Sequence, residues 1–104
     1  MIVKKDWIGQ TGFSCWEFVQ QMDPSIPHYA EAENGFLRVE TPMSGDVVLM
    51  ERCDDEDLPF HAGYMVGERD FLHATKKLGV VRGFIDRWPY KGKVIGFYRW
   101  TGKK

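Results

Sequence analysis

The hydrophobic pattern changes its period near residue 45, and this change constrains the fold more than any other feature of the chain. Before it, four apolar residues recur at the spacing of one helical face: Cys15, Phe18, Val19 and Met22. Ser14 and Glu17 fit the S-x-x-E capping box, so this helix is predicted to begin directly after Ser14. Pro24 and Pro27 are expected to end it, because proline disrupts helical hydrogen bonding.

After residue 45, short apolar segments favour β-strands and are separated by turn-forming residues. The predicted strands are 45–51, 60–66, 71–75, 79–82 and 93–100. Residues 67–70 indicate a hairpin and 84–90 a turn, whereas 28–40 are ambiguous and allow one more helical turn around 29–33. A helical segment followed by an antiparallel meander predicts an α+β fold with a sheet of about five strands.

The size and composition of the chain predict one domain. A chain of 104 residues, 43% of them hydrophobic, is expected to form a single globular domain over residues 1–104. The apolar runs are too short for a transmembrane helix. The first residues lack the apolar stretch of a secretory signal, which favours a cytoplasmic protein or a component of a particle.

The charge is divided unevenly. Residues 1–60 carry 4 Lys/Arg and 12 Asp/Glu, whereas residues 61–104 carry 10 Lys/Arg and 3 Asp/Glu. Much of the acidity lies in residues 51–57, which are predicted to form a solvated loop. The basic half admits an anionic polymer as partner, but the absence of a recognition motif disfavours nucleic acid.

Cys15 is the candidate nucleophile among the two cysteines. Its predicted place at the first position of the helix puts the thiol beside unpaired N–H groups and the positive end of the helix dipole, which favours a thiolate. The alternative is a buried apolar residue of the inner helix face. Cys53 lies in the acidic run, where neighbouring carboxylates oppose a thiolate, and 38 positions separate it from Cys15 without a disulfide framework.

His61 and His73 lie on consecutive predicted strands and are the candidate partners of the thiol. Opposed residues of a hairpin share a face, so a three-residue turn places His73 opposite Gly63 or Met65, on the face of His61. A two- or four-residue turn sends it to the other face. Gly63 is interpreted as making room for an imidazole, and His28 as a surface residue. A zinc site of Cys15, His61 and His73 is conceivable, but its spacing matches no short zinc motif.

Five segments, in this order, resemble the motifs of the NlpC/P60 peptidases, especially the phage-tail members of that family. They are 14–19 (SCWEFV), 45–49 (GDVVL), 61–67 (HAGYMVG), 71–74 (FLHA) and 94–99 (VIGFYR). The resemblance implies a papain-like core in which the helix that carries the cysteine packs on the sheet that carries the histidines. It also implies a thiol hydrolase without a cofactor or metal, with Cys15 as nucleophile, His61 as base and His73 orienting His61.

The substrate implied by the resemblance is the stem peptide of bacterial peptidoglycan, and phage-tail proteins are implied as partners, in a virion or in the cytoplasm. Ser14 stands where the family usually has Asp, Glu17 where a small residue is common, and the upstream Tyr of many members is missing. These departures keep a second hypothesis open, a structural or assembly module of the same fold without turnover. A third is a barrel that binds nucleic acid or another polymer through its basic half.

Overall fold

The chain folds into an antiparallel β-sheet with a short helix packed on one face. The computed structural model describes residues 7–27, 35–51, 60–75 and 78–102. Within these ranges the elements are α1 (Cys15–Met22), β1 (Phe36–Val39), β2 (Val47–Glu51), β3 (Phe60–Met65), β4 (Asp70–Thr75), β5 (Gly79–Phe84) and β6 (Val94–Trp100). The strands form a single sheet in the order β1-β6-β2-β3-β4-β5.

Helix α1 begins where its capping residues predict. The Ser14 hydroxyl accepts a hydrogen bond from the Glu17 N–H at 3.2 Å, and the Glu17 carboxylate accepts one from the Ser14 N–H at 2.8 Å. This reciprocal pair is a capping box, and it satisfies two donors that a helix start otherwise leaves open. The predicted inner face is confirmed, because Cys15, Phe18 and Val19 are fully buried.

The hairpin of β3 and β4 has the three-residue turn that places the two histidines on one face. Met65 pairs with Phe71, and the Val66 N–H donates to the Asp70 carbonyl at 3.0 Å, which leaves residues 67–69 as the turn. The pairing of Tyr64 with Leu72 continues this register towards Gly63 and His73.

Asp46 accounts for the Gly-Asp pair that precedes β2. Its carboxylate is buried, accepts from the Met43 N–H at 2.8 Å and forms an ion pair with Arg99 of β6, with both N–O distances 2.9 Å. A buried carboxylate needs such partners, because desolvation otherwise opposes its charge. Asp46 therefore ties the start of β2 to the last strand.

The predicted fold class, an α+β papain-like core with a sheet of about five strands, is wrong. The described residues form one 8-residue helix and a 6-stranded sheet, so the fold is mainly antiparallel β. The additional strand is β1, which lies in the segment 28–40 where the hydrophobic pattern is ambiguous. Leu37 and Arg38 of β1 are both exposed, so the strand lacks the alternation that reveals a half-buried strand.

The two faces of the sheet bury different sets of side chains. Helix α1 covers the face that includes Ala62 and Tyr64 of β3 and Leu72 and Ala74 of β4. The alternate residues of the same strands belong to the opposite face, where Met65 and Phe71 pack with side chains of β2, β6 and the segment after β5. His61 of β3 and His73 of β4 belong to this second face, because they alternate with the residues that α1 covers.

Candidate functional site

His61 and His73 meet in the interior as a hydrogen-bonded pair. His61 Nε2 lies 2.6 Å from His73 Nδ1, and the two rings are nearly perpendicular, with their centroids 4.8 Å apart. The side chains are 1% and 2% exposed. The register of the β3–β4 hairpin produces this pair, because it puts both imidazoles on one face, as the three-residue turn predicts.

The environment keeps His73 neutral. Burial lowers the pKa of His73 from its ordinary value of 6.5 to about 3, and the charge of the neighbouring His61 contributes to this lowering. A neutral imidazole carries one N–H and one lone pair, so His73 offers His61 either a donor or an acceptor, depending on its tautomer. The pair can therefore fix the orientation of the His61 ring and leave Nδ1 of His61 as the nitrogen that His73 does not engage.

Tyr90 extends the pair to a third side chain, which no sequence pattern had indicated. Its hydroxyl lies 2.9 Å from His73 Nε2, and its ring stands at 89° to the His73 ring with centroids 5.2 Å apart. Tyr90 belongs to the turn between β5 and β6, where no periodicity relates it to the histidines. The sequence holds no local signal that could have identified this contact.

Cys15 occupies the predicted first position of α1, and its side chain is fully buried. The capping box next to it engages Glu17, and the hydrogen bond from the Ser14 N–H lowers the pKa of the Glu17 carboxyl. Glu17 is therefore ionised at neutral pH, with one carboxylate oxygen held at the helix start. The positive end of the helix favours a thiolate at Cys15, and the Glu17 charge opposes it.

The body of α1 and the two imidazoles lie on opposite faces of the sheet, so the helix packs on the sheet that carries the histidines but not on the face from which they project. Leu72 and Ala74 cluster with α1, whereas His73 contacts the Phe71 ring, with centroids 5.0 Å apart, on the other side. The reason is the strand period of two, which sends neighbouring residues of one strand to opposite faces.

The ladder between β3 and β4 is short at this place. It pairs only Tyr64 with Leu72 and Met65 with Phe71, whereas β4 pairs with β5 along six residues. The start of α1 lies beside the start of β3, since the rings of Trp16 and Phe60 have centroids 6.1 Å apart. Trp16 and Phe60 are the chain neighbours of Cys15 and His61, so the helix start approaches the sheet where the β3–β4 ladder has ended.

Gly63 makes room for a different ring from the one that the sequence interpretation assigned to it. A Cβ atom at this position would lie 2.8 Å from Phe71 Cδ2 and 3.1 Å from Val48 Cγ1. The missing side chain therefore accommodates Phe71, and the ring of Phe71 in turn packs on His73. The interpretation that Gly63 makes room for an imidazole is wrong, because the nearest ring is that of Phe71. The glycine affects the histidines only indirectly, through the packing of Phe71 on His73.

His28, interpreted from the sequence as a surface residue, and Cys53, excluded as a nucleophile, lie outside the described residues. Within the described ranges, no group of three His, Cys, Asp or Glu side chains is arranged to hold a metal ion. No helix in the described part of the chain is long and apolar enough to cross a membrane.

Comparison with known proteins relates the chain to one family by its fold. A scan against protein-family models finds no match, and a search of curated proteins finds no significant relative. Among solved structures, the chain is similar to an NLP/P60-family protein from Staphylococcus aureus described as similar to lipoprotein, with a TM-score of 0.66 and 16% identity. The match covers 90% of this chain but 37% of that one. The comparison therefore supports a family-level likeness in fold to an NlpC/P60 protein.

Proposed function

We propose that the chain is a thiol hydrolase that cleaves peptide bonds of bacterial cell-wall stem peptides. The observation that carries the proposal is the buried contact of 2.6 Å between His61 Nε2 and His73 Nδ1. Burial of two imidazoles opposes folding unless their polar atoms find partners, and a pair of this kind orients a general base. The capped helix start at Cys15 and the likeness in fold to an NlpC/P60 protein support the same assignment.

In this mechanism His61 takes the Sγ proton of Cys15, and the thiolate attacks the carbonyl carbon of the scissile peptide bond. A C–S bond forms while the carbonyl oxygen becomes an oxyanion, which the backbone N–H of Cys15 and a neighbouring N–H of the helix start stabilise. His61 then gives its proton to the leaving amine as the C–N bond breaks. Water, deprotonated by His61, attacks the thioester and releases the acid and the thiol.

His73 acts in these steps as the residue that positions His61. Its Nδ1 holds His61 Nε2, so the remaining ring nitrogen of His61 is the one that exchanges the proton with Cys15. Because burial lowers the pKa of His73 to about 3, His73 stays neutral when His61 becomes positive. One positive charge, rather than two adjacent ones, then accompanies the thiolate.

The motif resemblance is the reason to propose peptidoglycan stem peptides as substrate and phage-tail proteins as partners. The five ordered segments include the cysteine, Gly-Asp and both histidine motifs, and they extend from residue 14 to residue 99. A tail component with this activity would open the cell wall locally during entry.

A structural or assembly module without turnover is the second candidate, and one observation favours it. The Cys15 side chain is 0% exposed, and the body of its helix packs on the face opposite the imidazoles. A carbonyl carbon must reach the sulfur to within bonding distance, so a permanently buried Cys15 would exclude the reaction.

The rate of Cys15 alkylation by iodoacetamide as a function of pH distinguishes the two candidates. The experiment uses the full chain with Cys53→Ser, so that Cys15 is its single thiol, and Cys15→Ala as the matched control for reaction elsewhere. A thiol paired with an imidazole should alkylate at pH 6 at least about tenfold faster than a free thiol of pKa about 8.5. His61→Ala should abolish this acceleration.

Turnover is then measured on purified cell-wall fragments. The hydrolase proposal expects released stem-peptide fragments from the native chain and none from Cys15→Ala. Alkylation at the rate of a free thiol, or equal release by the Cys15→Ala variant, would contradict the proposal and favour the module without turnover.

A further inference from the structure

The Tyr90 hydroxyl ends a line of three side chains that begins at His61. His61 Nε2 lies 2.6 Å from His73 Nδ1, and His73 Nε2 lies 2.9 Å from the Tyr90 oxygen. Both nitrogens of the His73 ring are therefore engaged, one on each side. The protonation of one end of this line affects the hydrogen bonding of the other.

The fold holds the Tyr90 ring tightly in this position. The ring contacts Phe71 edge to face, with centroids 5.0 Å apart. Gly83 of β5 allows this approach, because a Cβ atom there would lie 2.6 Å from Tyr90 Cε2 and 2.8 Å from Phe71 Cζ. The main chain of Tyr90 is also fixed, since its N–H donates to the Arg87 carbonyl and its carbonyl accepts from the Lys93 N–H, both at 2.9 Å.

The two tautomers of neutral His73 make different demands on the group at its Nε2. When His61 is positive, its Nε2–H donates to His73, so His73 Nδ1 must carry a lone pair and the single proton of His73 must sit on Nε2. That Nε2–H then donates to the Tyr90 oxygen. When neutral His61 presents a lone pair at Nε2 instead, His73 donates from Nδ1, and its Nε2 accepts the Tyr90 O–H. In this state His61 carries its proton on Nδ1, so it cannot accept the proton of Cys15.

A hydroxyl satisfies both states, because it rotates and is donor and acceptor at once. A carboxylate would favour only the first state, and an apolar side chain would leave His73 Nε2 buried without a hydrogen bond in both. In the described part of the chain, the titratable groups that contact the His73 ring are His61 from β3 and Tyr90 from the β5–β6 turn. Its pairing partner on β5, Val81, is apolar.

We propose that Tyr90 is a positioning residue whose hydroxyl accepts the Nε2–H of His73. It thereby holds His73 in the tautomer whose Nδ1 accepts from His61, which stabilises His61 in its positive state. Its role in turnover rests on the proposed hydrolase function. Its role in the tautomer of His73 does not, and the two are measured separately. Tyr90 does not itself touch the reacting atoms in this mechanism.

The test is Tyr90→Phe in the full chain, which keeps the ring on Phe71 and Gly83 and removes only the hydroxyl. Tyr64→Phe is the matched control, because Tyr64 is a buried tyrosine of β3 on the opposite face of the sheet. Nitrogen-15 NMR of the imidazoles reports the tautomer of His73 and the pKa of His61. With the Cys53→Ser background, iodoacetamide reports the reactivity of Cys15.

Tyr90→Phe is expected to lower the pKa of His61 by about one unit and to slow Cys15 alkylation near neutral pH by about tenfold, whereas Tyr64→Phe changes neither. The nitrogen shifts of His73 should move towards the Nδ1–H tautomer. Unchanged His73 shifts and an unchanged His61 pKa in Tyr90→Phe would overturn the inference.

The failures of the two proposals are distinguishable. If Cys15 of the Cys53→Ser chain alkylates like a free thiol while Tyr90→Phe still moves the His73 and His61 signals, the hydrolase fails and the role of Tyr90 stands. If Cys15 is activated and Tyr90→Phe moves neither signal, the hydrolase stands and Tyr90 has no such role.

Should Tyr90→Phe not fold, the native chain provides the decisive measurement. His73 is expected to carry its proton on Nε2 at pH values below the pKa of His61. A proton on Nδ1 there would overturn the inference.

Discussion

The two faces of the β3–β4 hairpin are built from alternate residues of the same strands, yet they differ in kind. On the face under α1, Ala62, Leu72 and Ala74 pack with the helix, and the contacts are apolar. On the opposite face, His61 and His73 are as deeply buried, but they form a polar pair that continues to Tyr90.

This difference separates what holds the molecule together from what it can do chemically. Apolar burial stabilises the α1 face without any requirement on direction. The imidazoles require partners at defined distances, since a buried polar group without a hydrogen bond destabilises the fold. Substitutions on the α1 face should therefore change the free energy of unfolding mainly through the side-chain volume that they remove. The contribution of the imidazole face should depend on pH and on added atoms that disturb its contacts.

The largest effect is expected on the α1 face from Phe18→Ala. Phe18 is fully buried, and the centroid of its ring lies 5.4 Å from the ring centroid of Trp7 and 6.0 Å from that of Phe13. The cavity should lower the free energy of unfolding by about 3–5 kcal/mol, measured by urea denaturation. Trp88→Ala, at a side chain that is 89% exposed, is the control and should change it by less than about 0.5 kcal/mol. A Phe18→Ala cost near that of the control would contradict the assignment of this face as core.

On the imidazole face, Gly63→Ala should cost about 1–3 kcal/mol of unfolding free energy, because the new Cβ meets Phe71 and Val48 in a filled space. Gly96→Ala is the matched control, since the atoms nearest to a Cβ there are Arg38 Nε and the Cε2 and hydroxyl oxygen of Tyr98, each at 3.2 Å, in side chains that are partly exposed and can shift. The same denaturation measurement applies, and His73 NMR signals should shift only in Gly63→Ala. Equal costs at the two glycines would show that the imidazole face is not tightly filled.

The pH dependence of stability distinguishes the faces most directly. Burial lowers the pKa of His73 from 6.5 to about 3, so between these values the unfolded chain binds a proton that the folded chain does not. The free energy of unfolding should therefore fall as the pH falls from about 6.5 towards 3, by up to about 1.4 kcal/mol per pH unit from this residue.

Urea denaturation at several pH values measures this slope in the native chain and in His73→Gln, which should lose the contribution of His73. Leu72→Ala, on the α1 face, should lower stability at every pH and keep the slope. A slope that survives in His73→Gln would assign the pH dependence to another group.

The smallest of these effects is expected at the start of α1. Ser14→Ala removes the hydroxyl that accepts the Glu17 N–H, which should cost about 1 kcal/mol of unfolding free energy. Ser44→Ala, at an exposed serine outside the helix, serves as control and should cost almost nothing. If the two variants have the same free energy of unfolding in urea denaturation, the capping box contributes no measurable stability.

Local sequence patterns predicted the elements well where their signals are local. The Ser14 cap and the strand that carries His61 both depend on residues within a few positions of one another. The turn before His73 stayed open between two, three and four residues, and the structure has the three-residue turn. The local patterns failed to predict β1. Its exposed Leu37 breaks the alternation of a half-buried strand, and its partner, β6, lies far along the chain. The role of Gly63 was misjudged for a similar reason, because its filled neighbourhood includes Val48 of β2.

By itself, the sequence determined where α1 begins and which turn length would align His61 with His73, since caps and strand periods arise from hydrogen bonds and steric preferences of neighbouring residues. Only the tertiary structure decided that α1 covers the opposite face of the sheet, that β1 adds a strand beside β6, and that Tyr90 joins the histidines. These features depend on which distant segments bury their surfaces together, and burial is non-directional, so no spacing along the chain specifies the partner.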